Sequence, residues 1–273
     1  MGLELICSAK VITNQINEFD ANYHEHFFCV RTIAKEYLNG AADATLSEQS
    51  TIRLAEQLSF VLKEWGAGRF RKAPPTREEP EIKEFLCNSN LRNDLYKIVS
   101  TDLRFLCLQA NARTIADEAQ VTEVEQFDEI LLSVLNKLSK RLFNDNTNVT
   151  YPMKALLLIT GFMPAFDSNV KRGLYRAGFR GFGGESPRTQ FRLPEEHSRD
   201  ADMKKLTRLP FVLGDCWANY HNVLKDGIME SEYRNLIEEP GRVFDVLFFM
   251  QGKQNNNVEL LRFQGPERWY EII

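Results

Sequence analysis

Residues 121–143 read VTEVEQFDEILLSVLNKLSKRLF, and their apolar side chains keep one spacing throughout. Val124, Phe127, Ile130, Leu131, Val134, Leu135, Leu138 and Leu142 recur at the intervals that a helix brings to a single face. A strand would bury alternate residues, so this stretch is a helix with a broad buried stripe. Asn144-Asp145-Asn146 follows with residues suited to a turn.

The same period extends upstream. Between 15 and 38, Ile16, Phe19, Tyr23, Phe27, Val30, Ile33, Ala34 and Tyr37 mark one buried face, with Gly40 as a stop. A second helix is expected from Ser47, or from Ser50 as an alternative cap, to about Trp65, with Leu54, Leu58, Val61 and Leu62 inward. Residues 66–80, GAGRFRKAPPTREEP, are punctuated by Gly and Pro and cannot continue a regular helix. Helical patterns resume over 82–87 and 91–109. Downstream, a helix is expected over 152–160, another just after Asp167, and others over 210–224, 230–237 and 243–250. Residues 178–209 read as a long loop, and 258–273 leave room for one short strand. The expected fold is all-α: a compact multi-helix globular body, one helical domain over 1–273 with a long basic loop. Any seam between two lobes would fall at 66–80.

Composition narrows the setting. The 273 residues are 43% hydrophobic and 26% charged, enough apolar chain for a sizeable core and not the composition of a disordered polymer. Most of the 19 Phe are expected in that core. The formal net charge of −4 excludes a general polycation, so any contact with nucleic acid requires a local patch. Cys7, Cys29, Cys87, Cys107 and Cys216 form no close pair, which argues against a disulfide framework or structural zinc site and for buried free thiols in a reducing, cytoplasmic setting. No run approaches the roughly 20 apolar residues of a membrane helix. No cofactor or metal is implied. Gly181-Phe182-Gly183-Gly184 matches no nucleotide-binding fingerprint. His24 and His26 sit two apart, so on a helix they point to different faces, and His24 is expected to be a half-buried structural residue. Cys216 and His221 are five apart and give weak grounds for a nucleophile pair.

One segment carries a functional lead. Residues 154–179 read KALLLITGFMPAFDSNVKRGLYRAGF: a short apolar helix, a turn with Gly161, then Asp167 at the start of a second helix with a basic face. A carboxylate there accepts backbone N–H bonds and meets the positive end of the helix dipole. This capping function explains Asp167 without any ligand. Arg172 and Arg176, four apart, share a face, with Lys171 beside them.

This segment resembles the helix-hairpin-helix DNA glycosylase superfamily, whose catalytic Asp lies in a pattern like D-[ST]-[HN]-V-x-R-x-x-x-R-x-G. Asp167-Ser168-Asn169-Val170, Arg172, Arg176 and Gly178 match it in order. The resemblance implies that Asp167 is the catalytic carboxylate, which activates a nucleophile or stabilises positive charge on a sugar, as carboxylates do at glycosidic bonds. The hairpin itself differs: Ile159-Thr160-Gly161-Phe162-Met163-Pro164 lacks the second glycine. Lys154, the nearest upstream lysine, lies earlier than the family's nucleophilic lysine and on another element, and no Cys cluster matches an iron–sulfur loop. The segment is similar, too, to bacterial helical proteins sharing a K-x-L…P-x-x-D-[ST]-x-V core, which imply no activity.

Positive charge gathers immediately downstream. From 169 to 192 the cations are Lys171, Arg172, Arg176, Arg180, Arg188 and Arg192 against one acid, Glu185; this +5 leaves −9 for the rest of a chain whose total is −4. Tyr175, Phe179, Phe182 and Phe191 interleave with them, so the stretch could bind phosphates and stack bases. Arg69, Arg71 and Lys72 could extend the patch. The expected function is a nucleic-acid-binding protein, a degenerate glycosylase-like enzyme acting on DNA or a binder that has lost catalysis. The alternative is a non-catalytic helical interaction module whose arginines meet an acidic protein partner, or the chain's own Glu195, Glu196, Asp200 and Asp202.

Overall fold

The helical periods become helices in a computed structural model of the chain, which describes residues 2–40, 44–69, 73–144, 148–184, 191–197 and 199–273, with the backbone alone over 44–46. After strand β1 (Gly2–Leu5) come α1 (Ala9–Glu18), α2 (Ala21–Asn39), α3 (Ala44–Glu64), α4 (Glu79–Leu86) and α5 (Ser89–Ser100). Strands β2 (Leu106–Gln109) and β3 (Ala112–Ile115) lead to α6 (Val124–Leu142), α7 (Thr150–Thr160), α8 (Ser168–Ala177), α9 (Ala201–Asn219), α10 (His221–Met229), α11 (Pro240–Gly252) and β4 (Leu261–Gln264). The fold is mostly α. Its described strands form two antiparallel pairs: β1 with β4, Gly2 opposite Gln264, and β2 with β3, Leu106 opposite Ile115. Buried residues on both sides of the 66–80 connection, such as Leu62 and Ile82, belong to one continuous core.

The departures from expectation have local causes. The helix expected over 15–38 is two, because Asp20 caps α2 by accepting from Asn22 N–H while the apolar stripe runs on across the break. The helix expected over 91–109 stops at Ser100; a 3₁₀ turn, Leu103–Phe105, leads into a hairpin turned by Ala110 and Asn111, both at positive φ, a geometry that Asn tolerates well. Residues 201–209, expected as loop, are the first turns of α9, started by Asp200 accepting from Met203 N–H; Pro210 lies inside that helix rather than at its start. Residues 230–237 hold only a 3₁₀ segment, Arg234–Glu238. His24 is fully buried, and only Cys216 of the five cysteines is buried, Cys29 and Cys87 being exposed.

The region around Asp167 depends on an unusually close helix pair. A Cβ on Gly173 of α8 would collide with the Phe248 carbonyl of α11, and one on Gly252 would collide with the Asn169 carbonyl. These two glycines let the backbones touch, which fixes the axis of α8 and the position of its N-terminus. No helix among the described residues is long and apolar enough to cross a membrane.

Candidate functional site around Asp167

α7 ends at Gly161, whose φ of 69° lies in the left-handed region that favours glycine. The turn that follows is held at two points. Ala165 N–H donates to Asp245 Oδ1 at 2.8 Å, and the Thr150 hydroxyl donates to the Phe166 carbonyl at 2.7 Å. The chain therefore enters α8 at a fixed angle. Asp167 Oδ1 accepts from both Asn169 N–H and Val170 N–H at 2.9 Å, the expected cap. Its Oδ2 accepts no hydrogen bond from a described residue, and the side chain is partly exposed.

Ionisable side chains from four helices sense this carboxylate: Tyr23 of α2, Tyr151 and Lys154 of α7, Lys171 of α8, and Arg242 and Asp245 of α11. Burial drives the Lys154 ammonium below its ordinary basicity; Asp167 and Asp245 oppose that shift and Lys171 adds to it. Lys154 donates to the Trp65 carbonyl and lies 5.2 Å from the Tyr151 ring centre. Tyr151 in turn donates to the Gly66 carbonyl at 3.0 Å, so two α7 side chains serve the carbonyl end of α3. Lys171 is also lowered by burial, with Asp167 opposing, and its amine makes no hydrogen bond to a described residue. Burial raises Tyr151 and Tyr23, and the Asp167 charge adds to both. Behind them, Asp245 is pushed up to about 6 by burial, against the pull of Arg242, to which it is bonded at 2.5 Å.

Asp167 thus lies within electrostatic reach of Lys171 and of Lys154, which sequence spacing had set aside, without an ion pair to either. A signal for it existed: a lone lysine ahead of ALLLI in a buried helix must find polar partners. The other expected cations lie elsewhere. Arg172 donates to Asn169 Oδ1 and to the Gly252 carbonyl, at 3.1 and 2.7 Å. Arg176 donates to the carbonyls of Gln251, Lys253 and Asn256. Both guanidiniums therefore serve the C-terminal end of α11, where positive charge meets the negative pole of the helix dipole. Arg180 donates to the Tyr175 carbonyl and stacks 4.0 Å over its ring, at the far end of α8 from Asp167. Arg192 is exposed, its backbone bridged to Asn148 just before α7. Arg188, with Arg71 and Lys72, lies outside the described residues.

The expected base-stacking rings are mostly unavailable to a ligand. Phe179, Phe182 and Phe191 are buried among Phe166, Phe263 and Trp269. Tyr175 remains at the surface, lining a groove of about 630 Å³ with Arg180, Lys205, Arg268 and Tyr270. Lys205 lies over Tyr270 but is paired with Asp202 at 2.9 Å. Among the described residues no cluster of His, Cys, Asp and Glu could hold a metal ion. No protein-family model matches this sequence, no curated protein matches it, and no solved structure matches its fold.

Proposed function

We propose that this chain acts on nucleic acid, with Asp167 as the carboxylate at the reacting centre. The supporting observation is the division of labour within that carboxylate: Oδ1 fixes the start of α8, while Oδ2 remains uncommitted among the described residues, within electrostatic reach of Lys154 and Lys171 but bonded to neither. A carboxylate pinned on one oxygen is held in orientation for an electron-poor centre such as a sugar carbon losing its base. In this reading Lys171 and the exposed Arg192 are the cations that meet phosphates, and the Tyr175–Arg180 groove extends the surface along α8. Arg172 and Arg176, although they fit the glycosylase-like pattern, act in this reading as supports that hold α8 on α11.

A second reading has its own observation. Asp167 caps, Arg172 and Arg176 serve carbonyls, and Lys154 serves the end of α3, so each of these side chains has a structural use. On that reading the chain is a helical interaction module and the remaining cations dock an acidic protein surface. The Asp167→Asn variant separates the two. Base release is measured on alkylated, oxidised and deaminated duplexes, alongside filter binding and thermal melting. The enzyme reading expects release by the wild type and its loss in the variant with affinity kept. No release by either protein, with a stability change below about 1 kcal/mol in the variant, leaves Asp167 as a cap.

A further inference from the structure

A second cleft lies between the C-terminal end of α2, the start of α3 and the start of α5. It is a cleft of about 710 Å³ lined by Leu38, Ser47, Thr51, Cys87, Arg92 and Tyr96 among others. That volume is in the range of small-molecule sites, roughly 300–1,000 Å³. What distinguishes it is the state of Arg92. Elsewhere in this protein Arg31 meets Glu239 at 2.9 Å, Arg113 meets Asp128 at 2.7 Å and Arg242 meets Asp245, while Arg172, Arg180 and Arg208 donate to backbone carbonyls. Among the described residues Arg92 meets neither a carboxylate nor a carbonyl. Its Nη1 donates to the Ser47 hydroxyl at 2.5 Å and its Nη2 to the Thr51 hydroxyl at 3.0 Å, while the guanidinium lies 4.3 Å over the Tyr37 ring. Its buried Nε has no partner. Hydroxyls and a ring orient this cation without neutralising it, whereas buried charges are ordinarily paired.

We propose that this cleft binds a small organic carboxylate, with Arg92 taking the carboxylate and Leu38 and Tyr96 covering the apolar body. A monoanion fits better than a phosphate. One guanidinium balances one charge, and Glu48, on the same wall and only loosely paired with Lys83 at 3.7 Å, would repel the excess charge of a dianion. Asn39, Ser89 and Asn93 complete the rim with neutral polar groups. The inference is independent of the reading of Asp167.

Cys87 makes the site directly testable, because its thiol is exposed and lines the cleft, whereas the exposed Cys29 of α2 does not line it. The full chain is titrated with 2-naphthoate, its neutral counterpart 2-naphthalenemethanol and inorganic phosphate, by calorimetry. N-ethylmaleimide labelling of Cys87 and Cys29 is followed in parallel by peptide mass. The expected result is 2-naphthoate binding that slows labelling at Cys87 alone, with the alcohol and the Arg92→Gln variant about 10- to 100-fold weaker, the range for a lost charged hydrogen bond. Should that variant fail to fold, the acid-to-alcohol ratio on the wild type decides. Equal affinity for acid and alcohol, no naphthoate binding at millimolar concentration, unprotected Cys87, or displacement of naphthoate by equimolar phosphate would each overturn the proposal.

Discussion

His24 links packing to pH in a way that can be measured without knowing the function. Its ring is fully buried, stacked 3.9 Å from the Tyr233 ring, with Nε2 3.2 Å from the Ile16 carbonyl and Nδ1 without a partner. Burial, reinforced by the charge of Arg242, lowers its pKa from 6.5 to about 3. The neutral ring is therefore the folded form. Its contribution is present above pH 6.5, where the unfolded histidine is also neutral, and is lost as pH falls from 6.5 towards 3, because only the unfolded state takes the proton. At 1.36 kcal/mol per unit, the two units between 6.5 and 4.5 give about 2–3 kcal/mol. Asp245 works in the opposite sense. Its pKa is raised from 3.8 to about 6, so it weakens the fold at neutral pH and relieves it as pH falls through that interval. The wild-type curve alone mixes the two, and the useful quantity is a difference. Urea denaturation of wild type and His24→Gln at pH 7 and pH 4.5 should show the wild type losing about 2–3 kcal/mol relative to the variant on acidification. A gap between the two proteins that is the same at both pH values would refute a buried neutral histidine.

Other perturbations test the frame around Asp167. Gly173→Ala drives a methyl into the Phe248 carbonyl, backbone that cannot swing aside, and should cost about 3 kcal/mol in urea denaturation; a loss under about 1 kcal/mol would contradict the close α8–α11 contact. Arg176→Ala removes donors to three carbonyls, but the side chain is exposed and solvent screens it, so the expected loss is about 1 kcal/mol, read as a lower melting temperature. If Arg176→Ala leaves the melting temperature unchanged, its place on α11 is not a support. Asp167→Ala should cost about 1 kcal/mol as a lost cap, and Asp167→Asn less, since an amide oxygen still accepts the two backbone N–H groups.

The helices were legible where one side of the chain stays apolar for several turns. α6 follows its period because its buried stripe outweighs every local alternative, whereas α7 and α11 are buried at almost every position and show as apolar runs rather than stripes. Periodicity fails at Phe19–Asp20, where α1 and α2 bury the same side and the stripe passes through the break. It fails again over 101–109, because a strand as short as Leu106–Gln109 carries too few residues to distinguish a period of two from a helix. The polar opening of α9, ADMKKLTR, shows too little apolar contrast to be read as helix, yet Asp200 in front of it is a cap signal. At the site, Asp167 was readable because capping is local. The roles of Arg172 and Arg176 were not, since their partners lie some 75–80 residues downstream on α11. Net charge along the sequence therefore overstated the free positive surface.

Fluorescence anisotropy of labelled single- and double-stranded DNA and RNA, titrated with the full chain across a salt series, bears most directly on the nucleic-acid reading. Binding should weaken with salt, and on duplex DNA the combined Lys171→Ala and Arg192→Ala variant should flatten the log–log slope by roughly 2, close to one for each lost phosphate contact. No binding to any of these ligands at low salt, or a slope unmoved by the double variant, would contradict a nucleic-acid surface at the start of α8.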